Sequence, residues 1–145
     1  MNQKLLSDYA AFLLRVSMGA LFVLHGLVLK VLTFTPAGTA AFFESIGYPG
    51  FLGYVVIAAE IGGGAALIAG VQVRLVSLLF VPVMIGATLQ HAGNGWTFSN
   101  TGGGYEFPAF WTVLLFVQAL LGNGAFAAES LLRSRQEPAR PLATA

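Results

Sequence analysis

Four apolar stretches of roughly membrane-spanning length fix what this chain can fold into. They run over residues 10–32, 51–71, 73–91 and 107–126. An α-helix needs about 20 residues, at about 1.5 Å rise each, to cross the hydrocarbon core of a bilayer. A helix also satisfies its own backbone hydrogen bonds, which lipid demands of any lipid-facing segment. Composition agrees: charged residues make up 9% and hydrophobic ones 57% of the 145 residues, too few charges to cover a soluble surface. The predicted fold is therefore an all-α membrane bundle of four transmembrane helices, comprising residues 1–128. The polar segment 129–145 reads as a disordered cytoplasmic tail. The N-terminal apolar stretch is too long for a cleaved signal and lacks its small-residue site, so it reads as the first helix.

The connections set the topology. Lys4, Arg74, Arg133, Arg135 and Arg140 fall on one side of the bundle, and only Lys30 falls near the other. By the bias of cations toward the cytoplasm, both termini and the tight link near Gln72 lie inside, and the two long loops lie outside. Trp96, Trp111, Tyr48, Tyr54 and Tyr105 gather toward the outer interface, as aromatic belts do. Within the first outer loop, residues 39–46 read as a short amphipathic helix stopped by Gly47 and Pro49.

A net charge of +1 gives no basic face for nucleic acid. The absence of cysteine excludes disulfides, thiolate-held zinc or iron–sulfur clusters, and a thiol nucleophile. No pair of haem ligands is placed as in a cytochrome. Electrons, if they are handled, come from a bound molecule or a partner.

Intramembrane ionisable groups are costly, about 3 kcal/mol each on insertion scales, and each requires a reason. Glu60 lies near the middle of the second helix, too deep to reach an interface, so it is protonated, paired or facing a wet cavity. Arg15 lies a third of the way into the first helix. Two readings stay open for it: reaching back to the inner interface, or pairing with Glu60. His25, Lys30, His91 and Glu106 fall in the outer half, rimmed by Trp96 and Tyr105. Two histidines and two carboxylates have the chemistry of a metal site, but they come from separate helices without Glu-x-x-His spacing, and no metal is expected. Proton transfer suits them better, because histidine titrates near neutral pH. The three glycines Gly102, Gly103 and Gly104 lack the flanking strand and Lys–Ser/Thr of a phosphate loop.

The run Leu14-Arg15-Val16-Ser17-Met18-Gly19-Ala20-Leu21-Phe22-Val23-Leu24-His25-Gly26, with Lys30, resembles the first helix of the DoxX family. Ala59-Glu60-Ile61-Gly62-Gly63, then Gly70, Arg74 and His91, is similar to the second and third helices of that family. Asn94-Gly95-Trp96, Gly104-Tyr105-Glu106-Phe107-Pro108 and Leu121-Gly122-Asn123-Gly124 resemble its last segment. The resemblance covers residues 13–129; Glu129 stands where the family often has Asp. It implies a small multi-pass protein of the bacterial inner membrane, similar to a subunit of thiosulfate:quinone oxidoreductase. On that basis the expected function is a redox-associated subunit binding a quinone or similar lipophilic molecule in the outer half of the bundle. Glu60, His25 and His91 would move protons. Arg15, Phe22, Lys30, Trp96, Tyr105 and Glu106 would contact the ligand. Partners would be the bilayer, a soluble or membrane redox protein, and a second copy of the chain. The competing readings are a non-catalytic anchor for a redox enzyme and a small-solute carrier.

Overall fold

The computed structural model describes residues 2–130 and 132. Five α-helices are defined among the described residues: α1 Gln3–Val23, α2 Pro36–Ser45, α3 Phe51–Ala69, α4 Val73–His91 and α5 Glu106–Leu121. No strand occurs among the described residues. Helix α1 passes without a break into a π-helical segment, Leu24–Thr33, and α4 ends in a turn of 3₁₀-helix, Ala92–Asn94. Among the described residues, three helical stretches are long and apolar enough to cross a membrane: Gln3–Thr33, Phe51–Ala69 and Val73–Asn94. The fourth apolar helix, α5, has 16 residues, or about 24 Å of rise.

Helix ends follow their local chemistry. The first helix begins seven positions before the expected residue 10, because the Asn2 side chain caps it by accepting from the Lys4 amide at 3.1 Å. The last ends at Leu121 rather than 126. Gly122 takes φ 78° and Gly124 φ 66°, values that stop a right-handed helix. Gly70, at φ 73°, likewise ends α3 in a left-handed cap. The loop helix α2 starts earlier than expected: Thr35 caps it at the Gly38 amide (3.1 Å), with proline in its first turn. Of the polar tail from residue 129, only Glu129, Ser130 and Leu132 are described, and the rest lies outside the described residues.

The π-helical segment has no counterpart in the sequence reading. Phe34 donates its amide to Leu29 at 2.8 Å, five residues back, and the Thr33 hydroxyl donates to Val28 at 2.8 Å. Five residues of α-helix turn the chain by about 140° relative to its start. The wider π winding, with hydrogen bonds from i to i+5, leaves Lys30 closer to the side of His25 than α winding would.

Glycines let α1 and α3 touch backbone to backbone. A Cβ on Gly64 would stand 2.7 Å from the Gly19 carbonyl, and one on Gly19 would stand 2.6 Å from the Gly64 carbonyl. Across the bundle, Phe22 of α1 stacks flat on Phe80 of α4 with centroids 3.8 Å apart, and Trp111 of α5 meets Phe22 edge-on at 5.1 Å. Met18, Leu67, Val73, Met84 and Leu115 complete that core. Gly64→Val is expected to force the α1–α3 crossing apart and cost about 1–3 kcal/mol, the usual penalty of overpacking. Thermal unfolding in detergent measures it. Gly62→Ala is the matched control, because a Cβ there meets nothing within 4 Å.

Candidate intramembrane ion-pair site

Two polar clusters lie inside the helical body, at different depths. The first joins the π-helical segment to α3. Lys30 Nζ donates to both carboxylate oxygens of Glu60, each at 2.8 Å, and the side chains are 21% and 7% exposed. Glu60 sits this close because Gly26 has no side chain: a Cβ on Gly26 would lie 3.0 Å from Glu60 Cβ and 2.9 Å from Ile61 Cγ1. Thr39, buried on α2, holds the backbone end of the pair by donating its hydroxyl to the Lys30 carbonyl at 3.1 Å. His25 adjoins this contact through Gly26, the next residue along the helix. Of the three states open to Glu60, the structure selects pairing, with Lys30 as partner.

Arg15 forms the second cluster and does not pair with Glu60, which corrects that expectation. Its guanidinium is fully buried and does not reach back to an interface either. Nε donates to Asn123 O at 2.9 Å, Nη2 to Ala125 O at 2.9 Å, and Nη1 to Leu67 O at 2.9 Å and to Ile68 O. The Phe12 ring lies 5.2 Å from the guanidinium carbon. These carbonyls belong to the last turn of α3 and to the turn after α5. The C-terminal end of a helix carries partial negative charge, so the cation neutralises a helix end rather than a carboxylate. Arg15 therefore lies apart from the Glu60 site, toward the end of the bundle where the turn after α5 meets α1 and the last turn of α3.

The remaining expected site residues divide between the ion pair and the long loop. Phe22 is buried in the aromatic stack one turn before His25. The His25 ring is exposed, packs edge-on against Trp111 at 5.4 Å, and bonds through Nδ1 to the Leu21 carbonyl at 2.9 Å. His91 instead ties down the loop, its Nδ1 lying 3.1 Å from Gly102 O and 3.0 Å from Gly103 O. Asn94 donates to the same two carbonyls. Glu106 accepts from the Phe98 amide at 2.9 Å, and Trp96 meets Tyr105 edge-on at 5.3 Å. A depression of about 430 Å³ lies on the loop side of α5, lined by Trp96, Glu106, Phe107 and Phe110 among others, and neither Glu60 nor His25 lines it. Among the described residues, no three His, Cys, Asp or Glu side chains gather as metal ligands.

Two further residues, Trp111 and Thr39, belong to the first cluster although the sequence pattern does not place them there. By sequence Trp111 reads as an interfacial aromatic, and Thr39 as part of the loop helix alone. The available signal for Trp111 is its place in α5 among residues of the inward face. Nothing local marks Thr39.

Long apolar helices enclosing a paired lysine and glutamate define a multi-pass membrane protein with an internal ion pair. The chain belongs to the DoxX family, whose family model matches residues 10–93, and it is a multi-pass protein of the inner membrane. It is 40% identical over 82 residues to the "Putative oxidoreductase CatD" of Bacillus subtilis, a match covering 57% of this chain and 59% of that protein. It is 30% identical over 138 residues to the inner membrane protein YqjF of Escherichia coli, covering 91% of this chain and 98% of YqjF. No solved structure matches at a significant level.

Proposed function

We propose that this protein is a redox-associated membrane subunit that binds a quinone or similar lipophilic ring beside the Lys30–Glu60 pair, with His25 and that pair handling protons. The observation that carries the reading is the titratable trio itself. A lysine that donates to both oxygens of a carboxylate, with a histidine one residue from the Gly26 that packs on that glutamate, sits in a span where such groups are costly and most often functional. The π-helical segment supports it, since π turns are rare and frequent at functional sites. The CatD relative is named an oxidoreductase.

The donor set suits such a ligand. A quinone supplies the electron chemistry when bound, and protons travel with the electrons. Histidine and a lysine–carboxylate pair are groups that hold and release protons. With no cysteine in the chain, electrons come through the ligand from a soluble or membrane partner.

The same reading gives α5 a fourth span, completed by its flanking residues, with both termini in the cytoplasm. Lys4 and Arg74 lie at the terminal end. Lys30, the cation nearest the loop end, is consumed by Glu60, so no free cation remains there among the described residues.

The test is Glu60→Gln. Quinone-dependent turnover of the assembled system is expected to fall by at least about tenfold, the scale of a positioned acid–base group. Mass spectrometry of mildly purified protein should find a quinone with the wild type and lose it with the variant. Turnover and ligand unchanged in the variant would refute the reading. They would instead favour a non-catalytic anchor, in which the satisfied ion pair is glue between helices.

A further inference from the structure

We propose that the lateral face formed by His25 and Trp111 is a binding site, open to the bilayer, for a lipophilic aromatic ring that carries a hydroxyl group. The inference rests on the redox reading above and deepens it, by naming the entry side and the redox form of the ligand.

Depth is the first premise. Gly26, the residue after His25, packs against Glu60. Glu60 is nine residues from each end of α3, Phe51–Ala69, or about 13 Å from either end. His25 therefore lies level with the interior of that apolar helix, where lipid tails rather than headgroups are the expected neighbours.

Its hydrogen bonding is the second premise. The Leu21 carbonyl only accepts, so the 2.9 Å contact assigns the proton to His25 Nδ1. Nε2 of the neutral ring is then an acceptor, and among the described residues it has no partner. Trp111 packs edge-on to the same ring at 5.4 Å, and its indole N–H has no hydrogen-bond partner among the described residues. Two rings in contact thus each carry an unpartnered polar atom, one acceptor and one donor, within a span where lipid tails supply neither partner. Unpaired polar groups are costly in that medium. A ligand with a hydroxyl and a second oxygen satisfies both, and an aromatic ring adds stacking area against Trp111.

The chemistry also selects a redox form. An oxidised quinone presents carbonyl oxygens only and has nothing to donate to Nε2. The reduced hydroquinone donates. A proton released from that hydroxyl would leave toward the Lys30–Glu60 pair, whose glutamate packs against Gly26, the residue after His25.

Titration calorimetry on the full chain in lipid nanodiscs tests this, with empty nanodiscs subtracted and oxygen excluded. The probes are a short-alkyl methoxyhydroquinone, its oxidised quinone, and its O-methylated ether. Wild type is expected to bind the hydroquinone about tenfold more tightly than either of the others, the worth of one well-made hydrogen bond in a dry site. His25→Phe should erase that preference, and His25→Gln, which keeps an acceptor, should restore part of it. Because the His25 ring is exposed, both variants should melt like the wild type. Equal binding of all three probes by wild type means simple partitioning into lipid and overturns the site. Hydroquinone binding that depends on Glu60 but not on His25 overturns the lateral site and leaves the redox reading standing. Binding that depends on neither residue removes both.

Discussion

Arg15→Met is expected to lower the stability of the protein by about 3–5 kcal/mol, the scale of removing one side of a buried charged network. The side chain is 0% exposed and binds carbonyls of Leu67, Ile68, Asn123 and Ala125. Methionine fills a similar length but donates nothing. Each buried acceptor left without a donor costs on the order of 1–3 kcal/mol, partly relieved by rearrangement. The loss should be local as well as global. Arg15 joins the turn after α5 to α1 and α3, alongside the Ala125 amide on Asp8 O at 2.9 Å and the edge-on contacts of Phe126 with Tyr9 and Phe12. Limited proteolysis should then open the chain first around Gly122–Ala127, before the helices melt. Arg15→Lys should recover only a fraction, because a point ammonium cannot serve a fork of divergent carbonyls. A melting temperature for Arg15→Met within a degree of the wild type would show that these contacts are replaceable by lipid or water.

Arg15 also marks how far the sequence can be read. The helices are legible because hydrocarbon imposes a length and an apolar composition on a span, but the stop at Gly122 is not, because the apolar run continues to Phe126. The depth of Glu60 is legible from the same length constraint. Its partner is not. Arg15 and Lys30 are both cations on the first helical stretch, and a straight α-helix leaves either within reach of Glu60. The choice is made by the π winding after Val23, which turns Lys30 toward α3, and by the carbonyls that claim Arg15. Those carbonyls are backbone atoms, so no side-chain pattern announces them. His91 and Glu106 show the same limit. Their residue types suit proton chemistry, yet their hydrogen bonds go to Gly102, Gly103 and Phe98 in the loop they brace. A charged or titratable residue type inside a span says that some partner must exist. Which partner it is depends on contacts between distant backbone segments.

The ion pair yields the second large effect, and it separates the worth of the pair from the cost of breaking it. Lys30→Met leaves the carboxylate of Glu60, 7% exposed, without a partner in the span. Glu60→Leu leaves the ammonium of Lys30 unpaired beside it. Each single substitution is expected to destabilise by about 3–5 kcal/mol, because a buried charge is left uncompensated. The double substitution should cost much less than the sum and fall close to the wild type, since apolar side chains are at home at that depth. The lysine is the more exposed partner, so Lys30→Met should fall toward the upper part of the range and Glu60→Leu toward the lower. Equilibrium unfolding of the four proteins in one detergent gives the coupling energy directly. Strict additivity would mean that the two groups do not interact across the 2.8 Å contacts. A stable double variant that has also lost quinone-dependent turnover is the outcome with most consequence. The pair would then be dispensable for the fold, so its place in the span would be owed to chemistry rather than to packing.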